Sequence, residues 1–107
     1  DAYARRLLAG DWAPADYAAY AAHPRPARYL AKAFAAKEAF SKAAGTGLRT
    51  PVTLANLAVV RDALGKPALA CAPGLADWLM TRGVARTHLT LSDEGDFVLA
   101  FVVMEGA

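Results

Sequence analysis

Between residues 27 and 47 apolar side chains recur every three to four positions and then stop at Gly45-Thr46-Gly47. That pattern predicts one long amphipathic helix over 27–44, switched off by glycine. At about 100° per residue, Leu30 and Phe34 share a side with Tyr29, Ala33 and Phe40 beside them. Lys37 and Ser41 fall inside this apolar arc, and Glu38 and Lys42 lie at its edge, one turn apart. A lysine on a core-facing stripe is costly unless an anion meets it. The residues leave two readings open. Glu38 and Lys42 can be an ordinary i,i+4 pair, with Lys37 running its stem out to water. Alternatively, Lys37, Glu38, Ser41 and Lys42 form a functional cluster.

Elements on either side of the helix are short. Tyr3, Leu7 and Leu8 give residues 2–9 a helical spacing that ends at Gly10. Pro14 suits the first turn of a second helix, which carries Tyr17 and Tyr20 and ends before Pro24. His23-Pro24-Arg25-Pro26 reads as a stiff, extended linker. After Thr50-Pro51, a strand is predicted over 54–61, a turn over 62–67 and a strand over 68–71. Pro73-Gly74 precedes a helix with Leu75, Trp78 and Leu79 that Gly83 terminates. His88, Thr90 and Ser92 then alternate with Leu89 and Leu91, the period of a half-buried strand. Asp93-Glu94-Gly95-Asp96 makes a hairpin turn. In the last strand both faces are apolar: Phe97, Leu99, Phe101 and Val103 point one way, Val98, Ala100, Val102 and Met104 the other. The second set is expected outermost, covered by another subunit.

At 107 residues the chain is expected to form one domain, residues 1–107. Its net charge of +2 hides an asymmetry: residues 1–49 carry eight Lys/Arg against four Asp/Glu, residues 50–107 four against six. A basic first half suits an anionic ligand or an acidic protein. A nucleic-acid-binding domain is a weaker alternative, because no Lys/Arg run or interleaved aromatic stripe accompanies the charge. Cys71 is the only cysteine, reads as a small buried hydrophobe and suits a reducing cytoplasm. No signal peptide or membrane-length apolar run is read, so a cytoplasmic protein without a membrane partner is expected.

The run Phe34-Ala35-Ala36-Lys37-Glu38-Ala39-Phe40-Ser41-Lys42-Ala43-Ala44-Gly45-Thr46-Gly47 closely resembles the signature helix of holo-[acyl-carrier-protein] synthases, small 4′-phosphopantetheinyl transferases. The likeness extends to Arg28-Tyr29-Leu30-Ala31-Lys32, to Leu64-Gly65-Lys66-Pro67, to residues 88–94 and to the strand from Phe97 to Glu105. The resemblance implies an α+β fold, a long helix packed on a small antiparallel sheet, assembled as a homotrimer with sites between adjacent subunits. It also implies Mg²⁺-dependent transfer of phosphopantetheine from coenzyme A to a serine of an acyl carrier protein, with no nucleic acid involved. Glu38 matches the glutamate that holds the metal, and Lys42 the lysine near the phosphates. Lys37 is expected to support phosphate binding or the acidic carrier, and Gly45 to give close backbone approach. Lys66 and Pro67 match the segment bordering the adenine nucleotide, and His88 and Thr90 the strand facing it.

Departures from the family pattern stand beside the match. A second metal carboxylate belongs to an N-terminal G-x-G-x-D strand, which is absent from these residues. The expectation is a chain without its natural N-terminus. A non-catalytic binding or assembly subunit that keeps the fold is the alternative. Ala33 and Asp93 stand where many and some members, respectively, have Arg and His, which weakens the expected contacts to the coenzyme A phosphates.

Overall fold

Helix and strand order follow the spacing of prolines and glycines along the chain. The computed structural model describes residues 12–106, so the helix expected over 2–9 lies outside the described residues. Helix α1 spans Pro14–Ala22 and α2 spans Pro26–Ala44; strands β1 (Leu57–Arg61) and β2 (Pro67–Cys71) precede α3 (Pro73–Thr81); β3 (Val84–Glu94) and β4 (Phe97–Gly106) complete the order. Each helix begins with proline in its first turn, where a missing N–H costs no hydrogen bond. Gly45 ends α2 at φ 79°, and its N–H reaches back to the Lys42 carbonyl. Strand β1 starts at Leu57 rather than near residue 54. Asn56 is held in a turn by the Thr53 side chain and by a bond from its own amide to the Pro51 carbonyl.

The strands form two antiparallel pairs, β1 with β2 and β3 with β4, and β2 lies beside β3. Helix α2 packs along the β3–β4 hairpin, mainly on β4, while α1 packs on α2. The core joins Ala36, Phe40 and Ala44 of α2 to Val52, Leu57, Leu69, Leu75, Leu79 and Leu89. Full burial of a side chain such as Phe40 or Leu57 stabilises the fold by about 2 kcal/mol. A smaller cluster of Trp12, Leu30 and Ala33 seals the α1 end of α2.

Hairpin register corrects one expectation. Leu89 stands opposite Val102 and Leu91 opposite Ala100, so Val102, Ala100 and Met104 share the core face and pack there. Directly opposed residues of an antiparallel pair lie on the same face. The outer face is therefore Phe97, Leu99, Phe101 and Val103, exposed by 74%, 52%, 65% and 57%. The polar His88, Thr90 and Ser92 share it, opposite Val103, Phe101 and Leu99. Expecting Val98, Ala100, Val102 and Met104 outermost was wrong because it ignored what faces them across the hairpin.

Nothing lies within 4 Å of where a Cβ at Gly45 would sit, so a side chain there meets only backbone strain. Gly45→Ala is expected to lower unfolding stability by about 1 kcal/mol, read as a lower urea midpoint at unchanged slope. Gly74→Ala, inside α3 without a left-handed backbone, should not lower it.

Candidate functional site on the long helix and the hairpin

Packing sorts the side chains of α2 before any chemistry is considered. Leu30, Ala33, Ala36, Lys37, Phe40, Ser41 and Ala44 are buried. Glu38 and Lys42 point outward, their side chains 39% and 76% exposed, with the Lys42 ammonium 4.0 Å from the Glu38 carboxylate. Among the described residues this is the only partner Glu38 has for its carboxylate. Ser41, although buried, donates its hydroxyl to the Glu38 backbone carbonyl at 2.7 Å. Gly45 follows Lys42 within one turn, so Glu38, Lys42 and Gly45 occupy the C-terminal end of the same helix.

Lys37 does not join them. Its ammonium is fully buried, pairs with the equally buried carboxylate of Asp16, donates to the Leu54 carbonyl at 2.9 Å and lies 4.3 Å from the centre of the Trp12 ring. Asp16 also accepts from the Tyr29 hydroxyl at 3.0 Å and from the Ala13 N–H at 3.1 Å. Burial holds the Lys37 ammonium below its usual range, against the opposing pull of the Asp16 hydrogen bond and charge. A phosphate or a carrier protein cannot reach this group, so the expectation of a ligand-binding Lys37 is corrected. The anion it needed is internal. Asp16 gave no signal beyond that of an ordinary acid in a first helical turn.

A second set of residues gathers at the other end of α2. Lys66, Pro67 and Thr90 line a cavity of about 310 Å³ with Lys32, Arg61, Leu89, Leu91 and Asp93. A neighbouring cavity of about 250 Å³ shares Lys32, Arg61 and Leu91 with it and adds Tyr29, His23 and Ala33. Asp93, at the hairpin end, accepts from Arg28 Nε at 2.9 Å and pairs with Lys32 at 3.0 Å. Partial burial, then Arg61 and Arg28, push the Lys32 ammonium down. Arg28 and Lys32 belong to a run that resembles the family but carried no site role in the sequence, and Arg61 reads alone as a surface charge. His88 lies apart from this cavity and bonds to Glu105, which Arg86 also approaches at 3.6 Å. Neither cavity includes Glu38 or Lys42. Apart from Lys37 and His88, the expected site residues thus fall into two groups within one chain.

The model of the 4′-phosphopantetheinyl transferase superfamily matches residues 2–102. A holo-[acyl-carrier-protein] synthase from Thiobacillus denitrificans is 62% identical over 103 residues, covering 96% of this chain and 76% of the relative. The chain belongs to the holo-[acyl-carrier-protein] synthases, within the 4′-phosphopantetheinyl transferase superfamily. Solved synthases share the architecture. The enzyme from Neisseria meningitidis superposes with a TM-score of 0.87 at 40% identity, over 96% of this chain and 91% of its own. A synthase from Bacillus anthracis, solved in complex with CoA (3′,5′-ADP), gives a TM-score of 0.77 at 27% identity, over 96% and 83%. Family membership accounts for the α+β architecture and for the long helix of this synthase. No helix among the described residues is long and apolar enough to cross a membrane.

Tyr29 yields a pH test of the buried network. Burial, then the charge and hydrogen bond of Asp16, push its phenol well above its ordinary value. In the folded state the proton stays on, whereas the unfolded chain releases it near pH 10. The stability this contributes is complete below about pH 10 and is lost as pH rises beyond it. Tyr29→Phe should flatten that alkaline decline above roughly pH 10 and cost about 1 kcal/mol at neutral pH. Unfolding curves across the range check both, and an unchanged alkaline slope would count against this origin.

Proposed function

We propose that this synthase, acting as a single domain over residues 1–107, transfers 4′-phosphopantetheine from coenzyme A to a serine of an apo acyl carrier protein. The observation that carries the reading is its 62% identity to a synthase of that name, over 96% of the chain. In the reaction the serine oxygen bonds to the β-phosphorus as the bond from that phosphorus to the bridging oxygen breaks. Adenosine 3′,5′-bisphosphate leaves, and the hydroxyl proton passes to a base. Crowded negative charge is the chief obstacle, and cations placed where charge develops lower it.

Glu38 and Lys42 suit two of these tasks. Glu38 offers a half-exposed carboxylate with no hydrogen-bond donor beyond Lys42 among the described residues. Mg²⁺ is commonly held by one or two carboxylates together with substrate phosphates, so a lone outward glutamate fits one such position. The described residues include no group of three or more His, Cys, Asp or Glu able to hold a metal without the substrate. When bound, Mg²⁺ supplies positive charge to the phosphate oxygens. Lys42, largely exposed on a flexible stem, would reach the phosphate and neutralise charge there. Gly45, one turn on, leaves room for the substrate to approach the backbone.

Coenzyme A would lie in the cation-rich cavity, its adenine nucleotide along Lys66, Pro67 and Thr90 with Lys32 and Arg61 as countercharges, and His88 at the strand's polar margin. Because that cavity excludes Glu38 and Lys42, a site assembled between adjacent copies in a homotrimer is the favoured arrangement. The exposed Phe97, Leu99, Phe101 and Val103 offer the apolar surface such an assembly would cover. The basic first half would attract an acidic carrier, and a cytoplasmic setting suits this partner.

Mass spectrometry of an apo acyl carrier protein incubated with the full-length protein, coenzyme A and Mg²⁺ tests the activity. A gain of one phosphopantetheine per carrier is expected, and an unchanged carrier mass refutes it. Glu38→Gln, which keeps the size and removes the charge, should cut turnover about a hundredfold or more without lowering the melting temperature. Phe101→Asp should break the assembly into smaller species by light scattering and remove activity with it. An unmodified protein that is fully active as a monomer would rule out the shared site.

A further inference from the structure

The inward face of α2 is poor in shape. Three of its seven buried residues are alanines, and only Leu30, Lys37 and Phe40 are large. Methyl groups interlock weakly with what they face, so apolar packing alone leaves the rotation and axial position of the helix loosely set. A rotation of one residue, about 100°, would bring Glu38 to where Lys37 now lies. Lys37 opposes such a rotation directionally. Its ammonium joins Asp16 on α1, the Leu54 carbonyl in the loop before β1, and the Trp12 ring ahead of α1. Asp16 is fixed in turn by Tyr29 and by the Ala13 N–H. No buried side-chain nitrogen or oxygen among the described residues lacks a partner.

The geometry points to Asp16 and Lys37 as positioning residues, a buried ionic clamp that sets the rotation of α2 and thereby aims Glu38 and Lys42 at the substrate. Its catalytic part rests on the transferase reading above. Buried ion pairs are a weak source of net stability, because desolvation offsets their attraction, and fixing register is their best-attested role. An apolar pair of similar bulk can fill the same space, but it lacks the directional bonds to Leu54 and to the α1 terminus.

That contrast defines the experiment. Lys37→Met alone strands the Asp16 carboxylate and should lower the melting temperature. Asp16→Leu combined with Lys37→Met should restore most of it. In the restored double variant, amides of residues 37–42 should exchange hydrogen about tenfold faster than in the parent, and kcat should fall about tenfold or more with KM for coenzyme A within about twofold. A double variant that regains stability with parental exchange and parental kcat overturns the clamp, leaving the pair a filler of space. If the double variant does not regain stability, Lys37→Arg decides. It keeps the charge on Asp16 but substitutes a planar fork of different reach, so a folded protein with reduced kcat supports the clamp and one with parental kcat overturns it. Should the unmodified protein fail to load the carrier, the transferase reading fails, while the exchange comparison still judges the clamp.

Discussion

Packing of α2 against the β3–β4 hairpin, together with the buried Lys37–Asp16 pair, decides which of its side chains can meet a ligand. Phe40 and Ala44 enter the core formed with Leu89 and the inner residues of β4. The helical period puts Lys37 and Ser41 on the same inward side, where Asp16 holds the Lys37 ammonium. Glu38 and Lys42, one position on from each, are turned toward solvent. Neighbours in sequence thus acquire opposite fates: Lys37 is enclosed by protein, and Glu38 is available to something outside.

Much of the architecture was legible from punctuation. Pro14, Pro26 and Pro73 mark helix starts, and Gly45 and Gly83 mark exits through positive φ. These are local constraints, and local constraints survive in a sequence. What was not legible is pairing at a distance. Asp16 lies 21 residues from Lys37, and nothing in its neighbourhood announces a buried partner. The hairpin's outer face was misassigned for the same reason. Alternation reveals two faces, but only the register against Leu89 and Leu91 says which is inside.

The candidate site follows the same division. Glu38 and Lys42 could be read from the signature run, because helical spacing fixes their common side. Lys66, Pro67 and Thr90 could be named but not gathered, since the β1–β2 turn and β3 meet only in three dimensions. Lys32 ends a run that resembles the family yet suggested no site role, Arg61 had no distinguishing local signal, and the significance of both arises from shared cavities. Asp93, read as the loss of a cationic group, gains a role as the acceptor that balances Arg28 and Lys32.

The ion pair from Arg28 to Asp93 closes a span of 65 residues. Closing such a span costs chain freedom, which the packing of the hairpin on α2 must offset. The cavity bordered by Asp93 is therefore expected to be completed after α2, which is built from local contacts. A ribosome-bound chain could display the signature helix long before its C-terminal hairpin has emerged to meet it.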